Sequence, residues 1–378
     1  MRSSSSLFIG LMSGTSLDGV DGVVADFSTA PRVLGHASRR FAPALRQELL
    51  ALNRSGADEL HRAALAAHAL VAVYAEVVSE LLLQAQRLGL GPSDITAIWA
   101  HGQTVRHQPP SRGVPGYTLQ LNNPALLAEL CGIDVVADFR NADLAAGGQG
   151  APLVPGFHAA LWGRSDADIA VLNIGGISNL TVLPAGGPVR GWDCGPGNAL
   201  LDHWCQLHTG HSYDAGGAWA ASGSIDAALL GRLLDEPFFK LDPPRSTGRD
   251  LFNARWLQDR MGKEGRRLAP EDIQATLTGL SAEVCARELL KHLPGATELL
   301  VCGGGALNLE LMRLLQSALP GLTVLPSDHR GLPALQVEAA AFAWLARCWF
   351  ERQAGSRAEV TGARGPRVLG ALYPSSRP

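Results

Sequence analysis

The stretch FIGLMSGTSLDGVDGVVADF (residues 8–27) has two apolar runs separated by a turn of Gly, Ser, Thr and Asp. Apolar runs that flank such a turn predict a β-hairpin. Gly14 and Gly19 let the backbone bend and come close to an anion, while the hydroxyl side chains add donors beside the backbone N–H groups. The turn suits phosphate binding and a purely structural role about equally, so this stretch leaves both interpretations open.

A second stretch, IAVLNIGGISNLTVL (residues 169–183), repeats the plan of a buried strand, a glycine turn and a returning strand. Later, LLVCGGGALN (residues 299–308) runs from an apolar strand through three glycines into a helix. The repeat predicts a chain built from two halves of one design. Three glycine turns that follow strands favour one nucleotide bound between two lobes.

Eight motifs together resemble the anhydro-N-acetylmuramic acid kinase family over nearly the whole chain. They are MSGTSLDGVDGV (12–23), HGQT (101–104), DFRNADLAAGGQGAPLVP (138–155), LNIGGISNLT (172–181), GWDCGPGNALLD (191–202), STGRDLFN (246–253), CGGGALN (302–308) and LGALYP (369–374). The resemblance implies the actin, sugar-kinase and Hsp70 superfamily. Its fold is α/β, a two-lobed actin-like ATPase (ribonuclease H-like) fold with a nucleotide cleft between the lobes.

The alternation of strand and helix patterns independently favours α/β layers. We expect an N-terminal lobe over residues 1–140 and a C-terminal lobe over 141–354. The segment 355–378 is expected to return to the first lobe. Helical periodicity predicts a long helix over 58–88, and a strand at 95–100 runs directly into HGQT, where loops of parallel α/β sheets face their ligand.

The composition argues for a protein that acts on small molecules. Charged residues make up 18% of the chain and the net charge is −3, which indicates neither a nucleic-acid surface nor a polybasic membrane anchor. Charged and histidine side chains interrupt residues 60–83, so this segment reads as an amphipathic helix, and the six apolar residues 7–12 read as a strand instead of a secretion signal. Six scattered cysteines without a CxxC pair indicate free thiols and a cytoplasmic protein.

ATP and Mg²⁺ are the expected cofactors, and the glycine turns supply the expected nucleotide contacts. The predicted contacts are Gly14, Thr15, Ser16, Leu17, Asp18, Gly19, Val20, Asp21, Asn173, Gly175, Gly176, Gly303, Gly304 and Gly305. Asp18 is also expected to face Mg²⁺ through water, because this ion keeps much of its hydration shell beside phosphates. No HExxH motif is present, and a zinc site is not expected.

Asp193 is the first catalytic candidate. It stands between an apolar strand end (189–192) and a Cys-Gly-Pro-Gly turn that leads into a helix near Asn198. A carboxylate in that place accepts a proton near neutral pH. The alternative is an aspartate that caps the helix, which the two intervening glycines make less favourable. In the family that the chain resembles, the aspartate of the GxDxGPxN motif is the catalytic base.

Four further residues are predicted with their alternatives still open. Glu338, expected to be catalytic, is by spacing alone an acid that favours a helix start. Arg140 and Asp143, expected to bind the sugar, are by themselves a solvated arginine and a loop acid, although an arginine fork suits the lactyl carboxylate of a muramic acid. His101, expected to contact the substrate, is equally a satisfied histidine at a strand end.

The resemblance implies an unusual reaction. Such enzymes open the 1,6-anhydro ring of anhydro-N-acetylmuramic acid with water and phosphorylate O6, giving N-acetylmuramic acid 6-phosphate in peptidoglycan recycling. A homodimer is also expected from the resemblance.

Other classes fit the sequence less well. A chaperone needs a peptide-binding domain, a filament protein does not need GWDCGPGN, and transfer-RNA-modifying relatives carry an HxxxH pair that this chain lacks. Gly303 and Gly305 satisfy only part of a dinucleotide-binding GxGxxG, and no Walker A motif is present.

Overall fold

A computed structural model describes residues 6–14, 17–110, 114–249, 251–265 and 267–376. The chain forms two compact units. The first unit comprises Met1–Leu161 and Gln336–Pro378, and the second unit comprises Trp162–Leu335. Thr15 and Ser16, both predicted nucleotide contacts, lie outside the described residues.

The strands among the described residues are β1 (Leu7–Met12), β2 (Gly19–Asp26), β3 (Arg32–Arg40), β4 (Ile95–Ala100), β5 (Gln103–Gln108), β6 (Tyr117–Leu121), β7 (Val135–Ala137), β8 (Ile169–Ile174), β9 (Ile177–Leu183), β10 (Arg190–Pro196), β11 (Glu298–Cys302), β12 (Thr323–Pro326) and β13 (Ala371–Tyr373).

The α-helices are α1 (Pro43–Ala51), α2 (Glu59–Gln86), α3 (Pro124–Cys131), α4 (Asn141–Ala145), α5 (Pro155–Trp162), α6 (Asn198–Thr209), α7 (Ala218–Ser222), α8 (Ala227–Leu234), α9 (Ala254–Gly265), α10 (Pro270–His292), α11 (Leu309–Ala318), α12 (Val337–Phe350) and α13 (Ala358–Thr361).

The two units contain sheets of the same order. The first is β13-β7-β4-β1-β2-β3 and the second is β10-β9-β8-β11-β12. In each, three antiparallel strands joined by hairpins are followed by two strands parallel to the first one. This is the ribonuclease H-like order, and β13 extends the first sheet at its edge. The predicted α/β class and the internal repeat are therefore confirmed.

Helix α2 packs against β2 and β3, as its periodicity predicts. Its buried stripe includes Leu70, Tyr74, Val77 and Leu81, which join the hydrophobic core of the first unit. An 18-residue window of α2 has a mean hydropathy of 1.6, which is apolar enough to cross a membrane by length and composition. The core helix of a folded unit passes the same test, because it too needs a wide apolar face.

The division between the units differs from the expected boundary near residue 140. The first unit continues to Leu161, and the chain returns to it at Gln336, before the expected return at 355. The reason is the packing of α12 on β1. A side chain on Gly10 would lie 2.0 Å from the carbonyl oxygen of Ala339, so the helix approaches the strand backbone directly.

Candidate active site

In the second unit, the turn between β8 and β9 contains Gly175 and Gly176 at the carboxyl end of the first strand. The carbonyl oxygen of Gly175 accepts a hydrogen bond from Asn198 N at 2.8 Å, and that of Gly176 accepts from Gly197 N at 3.0 Å. These bonds hold the turn against the start of α6. A Cβ atom on Gly175 would lie 3.7 Å from Ile177 O, an ordinary van der Waals contact, so packing alone does not require glycine here.

The three glycines after β11 are explained by packing. A Cβ on Gly303, whose φ is +77°, would lie 2.5 Å from Asn173 Oδ1, and one on Gly305 would lie 2.4 Å from Ile174 Cγ2. The loop therefore needs glycine to lie directly against the end of β8. A Cβ on Gly304 would lie 3.4 Å from Asn198 Nδ2. Nucleotide contact by these residues stays a prediction.

Asp193 lies within strand β10, because the strand continues past the expected end at Trp192. Asp193 pairs with Asn179 on β9, and a bulge separates it from Gly195. Thr247 N donates to Asp193 Oδ2 at 2.9 Å, so a loop more than fifty residues away fixes the carboxylate. No hydrogen bond from the start of α6 reaches Asp193 among the described residues, and the capping alternative is not supported.

Burial raises the pKa of Asp193 from 3.8 to about 6, although the bond from Thr247 and the charge of Arg245 act in the opposite direction. Desolvation has this effect because the charged carboxylate loses more hydration than the neutral acid. A carboxylate whose pKa lies slightly below the working pH is mostly ionised, and it is also a stronger base than an ordinary carboxylate. Asp193 therefore combines both properties that proton abstraction requires.

A buried ion pair supports the Asp193 backbone, and no local sequence pattern indicates it. Arg245 Nε donates to Asp193 O at 3.1 Å, and Asp193 N donates to Arg245 O at 3.2 Å. The Arg245 guanidinium lies 2.9 Å from Glu288 Oε2, with only 3% and 9% of the two side chains exposed. Trp192 Nε1 donates to the same carboxylate at 2.8 Å. Strand β10, the loop that carries Arg245 and helix α10 thus meet behind Asp193.

In the first unit, the turn after β1 is shaped by its backbone. Leu17 has φ +58°, a left-handed conformation, and its N–H bonds Gly14 O at 3.2 Å. The Leu17 side chain is buried in the core, which fixes this unfavourable conformation. Successive right- and left-handed residues form concave anion-binding nests of N–H groups. Ser13 is not free to contribute its hydroxyl, because Oγ bonds Tyr74 and Gly102 in the interior.

Three other predicted residues of this turn have different surroundings. A Cβ on Gly19 would lie 2.1 Å from Arg39 O, so this glycine allows close approach of β3, a reason the sequence did not reveal. Val20 is buried in the core and offers a ligand only its backbone. The Asp21 carboxylate lies 3.5 Å from His36 Nε2.

His101 and Arg140 lie together behind the carboxyl ends of β4 and β7. The Arg140 guanidinium lies 2.8 Å from His101 Nε2 and donates to Gly150 O at 2.7 Å. His101 Nδ1 lies 2.5 Å from Gly102 O, and burial lowers its pKa to about 3, so the ring is neutral and accepts from Arg140. His101 is 4% exposed and orients Arg140, and its contact with the substrate stays a prediction.

The Arg140 side chain keeps one unsatisfied donor. Its buried Nε has no hydrogen-bond partner within the described part of the chain. Burial lowers the pKa of Arg140 to about 10, while Glu338 and Asp143 raise it, so the guanidinium stays charged at neutral pH. Glu338, in the first turn of α12, is therefore within electrostatic reach of Arg140. The structure brings these two separately predicted residues together.

Asp143 is part of the scaffold. It is fully buried, and it accepts hydrogen bonds from Gly150 N at 2.9 Å and from Thr361 Oγ1 at 2.8 Å. These bonds tie the GGQG loop to α13. Each carboxylate oxygen of Asp143 thus has a partner inside the protein, and its contact with the sugar stays a prediction.

The donor groups near the first glycine turn include few that suit a metal ion. No cluster of three or more His, Cys, Asp or Glu side chains suitable for a metal occurs in the described ranges. Asp18 is exposed, and its backbone oxygen accepts a hydrogen bond from Phe41 N at 3.1 Å. A single exposed carboxylate suits Mg²⁺ that is bound mainly by phosphate and water. All six cysteines are free thiols, as expected.

Two ribonuclease H-like units in one chain, with glycine turns at the carboxyl ends of their strands, define an actin-like ATPase fold. The family model described as anhydro-N-acetylmuramic acid kinase matches residues 6–375. The chain therefore belongs to the anhydro-N-acetylmuramic acid kinase family.

Two relatives of the same family are similar to the chain over nearly its whole length. The chain is 59% identical to the anhydro-N-acetylmuramic acid kinase of Variovorax paradoxus (strain S110), over 98% of this chain and 99% of the relative. It is 58% identical to the one of Albidiferax ferrireducens, over 98% of this chain and 100% of the relative. A solved ROK family glucokinase from Streptomyces griseus, in complex with glucose and AMPPNP, is similar with a TM-score of 0.41 and 14% identity, covering 90% of this chain and 99% of that chain.

Proposed function

We propose that the protein is an ATP-dependent kinase that opens 1,6-anhydro-N-acetylmuramic acid with water and phosphorylates O6. The products are N-acetylmuramic acid 6-phosphate and ADP, and the reaction belongs to peptidoglycan recycling. The observation that carries this proposal is the Asp193 carboxylate, held by Thr247 N–H and given a pKa of about 6 by burial. Family membership supplies the substrate.

In this reaction Asp193 takes one proton from water as the water oxygen forms a bond to C1 of the sugar. The C1–O6 bond breaks and its electron pair goes to O6. O6 then attacks the γ-phosphorus, and the bond to ADP breaks. The proton on Asp193 passes to solvent, so the overall reaction consumes one water and releases one proton. A single base thus serves both bond changes.

Other residues bind and orient. Arg140 is proposed to contact the lactyl carboxylate, because its charge is preserved and its Nε has no partner among the residues that the structure describes. Glu338 is proposed to contact the sugar beside it. The glycine turns are proposed to bind ATP through backbone N–H groups. Mg²⁺, when bound to ATP, neutralises phosphate charge, and Asp18 is proposed to face it through water. A cytoplasmic homodimer is the proposed form.

The test runs the reaction in ¹⁸O-labelled water and analyses the product before its anomeric oxygen exchanges. We expect label on the anomeric hydroxyl and none in the phosphoryl group. Asp193→Asn keeps the shape but removes proton acceptance, so turnover should fall by about 10²–10⁴-fold. Asp235→Asn, an exposed carboxylate paired with Lys240, is the matched control and should retain full activity.

Two results would contradict the proposal. Label in the phosphoryl group means that water attacks phosphorus, so that O6 is not the acceptor. ADP release that is equal with ordinary hexoses and with the anhydro sugar means that the substrate class is wrong.

A further inference from the structure

The loop that fixes Asp193 continues to an arginine that the reaction described above does not use. Arg245 anchors the loop through its buried pair with Glu288, and Thr247 N–H bonds the Asp193 carboxylate. Arg249 follows two residues later, so its Cα lies within about 7 Å of that of Thr247. Asn253 Nδ2 donates to Arg249 O at 3.2 Å and fixes its backbone from the other side. Arg249 therefore stands on a segment held at both ends.

The Arg249 side chain extends over the turn between β8 and β9. A Cβ built on Gly176 would lie 3.4 Å from Arg249 Nη2 and 3.6 Å from its Nε. The guanidinium thus lies beside the backbone of the turn, in the space that a larger residue would occupy. A Cβ on the adjacent Gly175 would make only an ordinary contact with Ile177 O, at 3.7 Å. A cation next to a half-buried glycine turn forms a surface suited to an anion.

The Arg249 and Arg245 guanidinium groups differ in their partners. That of Arg249 makes no ion pair or hydrogen bond within the described ranges, whereas that of Arg245 pairs with Glu288 and donates to backbone oxygens. The effect of arginine on the pKa of Asp193 also comes from Arg245. Most other arginines of this unit are paired, such as Arg260 with Glu236 and Arg330 with Glu298. Arg249 therefore keeps its full charge for a ligand.

We propose that Arg249 is a further catalytic residue, whose guanidinium contacts the transferred phosphoryl group of ATP. The inference rests on the proposed function in taking ATP as the phosphoryl donor. During transfer, negative charge lies on the peripheral oxygens of the phosphoryl group, and a planar guanidinium bonds two of them at once. Because the same loop fixes Asp193 and carries Arg249, one segment positions the base and stabilises the transferred group.

The first test is calorimetry without sugar, comparing ATP with ADP. Arg249→Ala should weaken ATP binding by about 10-fold or more, which is the effect of losing a charged hydrogen bond, and should leave the affinity for ADP unchanged. Arg255→Ala is the matched control, since Arg255 is 91% exposed at the start of α9 and pairs with Asp259. If the variant binds ATP and ADP equally more weakly, or binds both as tightly as the wild type, the proposal is overturned.

The second test is turnover. Arg249→Ala should lower kcat by about 10³-fold, the lower end for an arginine that stabilises phosphoryl transfer, with the KM for the sugar unchanged. Added guanidinium should restore part of kcat in this variant and none in Asp193→Asn. Arg249→Met, which keeps most of the aliphatic stem, should behave like Arg249→Ala. Wild-type kcat in either folded variant would refute the assignment.

The two proposals fail in distinguishable ways. Absence of ADP release by the wild type with the anhydro sugar would refute the proposed function. Discrimination between ATP and ADP is measured without sugar and decides the role of Arg249 separately. Thermal melting checks that both variants fold, which we expect because Arg249 is exposed.

Discussion

The raised pKa of Asp193 predicts an acid limb in the pH–rate profile at about pH 6. An ordinary aspartate with a pKa of 3.8 remains roughly 94% ionised at pH 5. With a pKa of about 6, the ionised fraction is roughly 97% at pH 7.5 and roughly 9% at pH 5. The expected loss of kcat/KM is therefore about tenfold between these two pH values, if the ionised base alone is active.

The assay should quantify ADP directly, because coupling enzymes have pH profiles of their own. Phosphate groups also titrate near pH 6, so the ATP substrate contributes to the same limb. Carbon-13 NMR of protein labelled at the aspartate carboxyl groups removes this ambiguity, since it needs no nucleotide. One carboxyl resonance should titrate near pH 6, and it should be missing in Asp193→Asn. Asp235→Asn, whose carboxylate has a pKa lowered by Lys240, should leave that resonance in place.

Two outcomes would refute the reasoning. If the resonance assigned by Asp193→Asn titrates below about pH 4.5, the carboxylate is well solvated and burial does not control it. If kcat/KM is flat from pH 7.5 to pH 5 while the NMR titration lies near pH 6, then Asp193 is buried as expected but is not the base.

Three further predictions concern stability and thiols. Because the folded-state pKa of Asp193 lies above its unfolded value, native stability falls as pH rises from about 4 to 6. Asp193→Asn should therefore raise the free energy of unfolding by up to about 3 kcal/mol at pH 7.5. Urea denaturation measures this gain, which should shrink towards pH 5. Gly305→Ala should lower the free energy of unfolding by about 1–3 kcal/mol, since its Cβ would press on Ile174. The control Gly231→Ala, in open space on α8, should be neutral or stabilising. Equal melting temperatures of the two variants would contradict the packing argument. Thiol titration in denaturant without reductant should find all six cysteines, and two or more missing would contradict the free-thiol assignment.

Local patterns predicted the elements that carry the site. The two glycine hairpins, the long helix α2 and the strand before the third glycine turn all lie where apolar runs and turn residues placed them. Each of these features depends on neighbours along the chain, so the sequence shows it directly. Asp193 and Arg140 were recognisable because their motifs are continuous.

Long-range contacts account for what the sequence did not reveal. The Arg245–Glu288 pair joins a loop to α10, and Asp143 bonds Thr361 across 218 positions of sequence. Nothing near either residue indicates its partner. The same holds for Gly19, whose missing side chain admits the β3 backbone. A glycine that permits close strand packing and one that permits anion approach look alike in sequence, and only the structure separates them.

The duplicated sheets show how one plan supports two chemistries. In the first unit the fourth and fifth strands, β4 and β7, lead to His101 and Arg140, which form a buried, charged group. In the second unit the equivalent fourth strand, β11, leads to glycines pressed against β8, and Asp193, the proposed base, lies on the third strand instead. The carboxyl ends of the strands are favourable places for a binding site in both units, because loops there are exposed while the strands beneath them are rigid. Burial near such an end allows a short side chain like Asp193 to acquire an unusual pKa. That burial costs stability. The loop from Arg245 to Arg249 helps to offset this cost, because it forms hydrogen bonds with both the backbone and the carboxylate of Asp193.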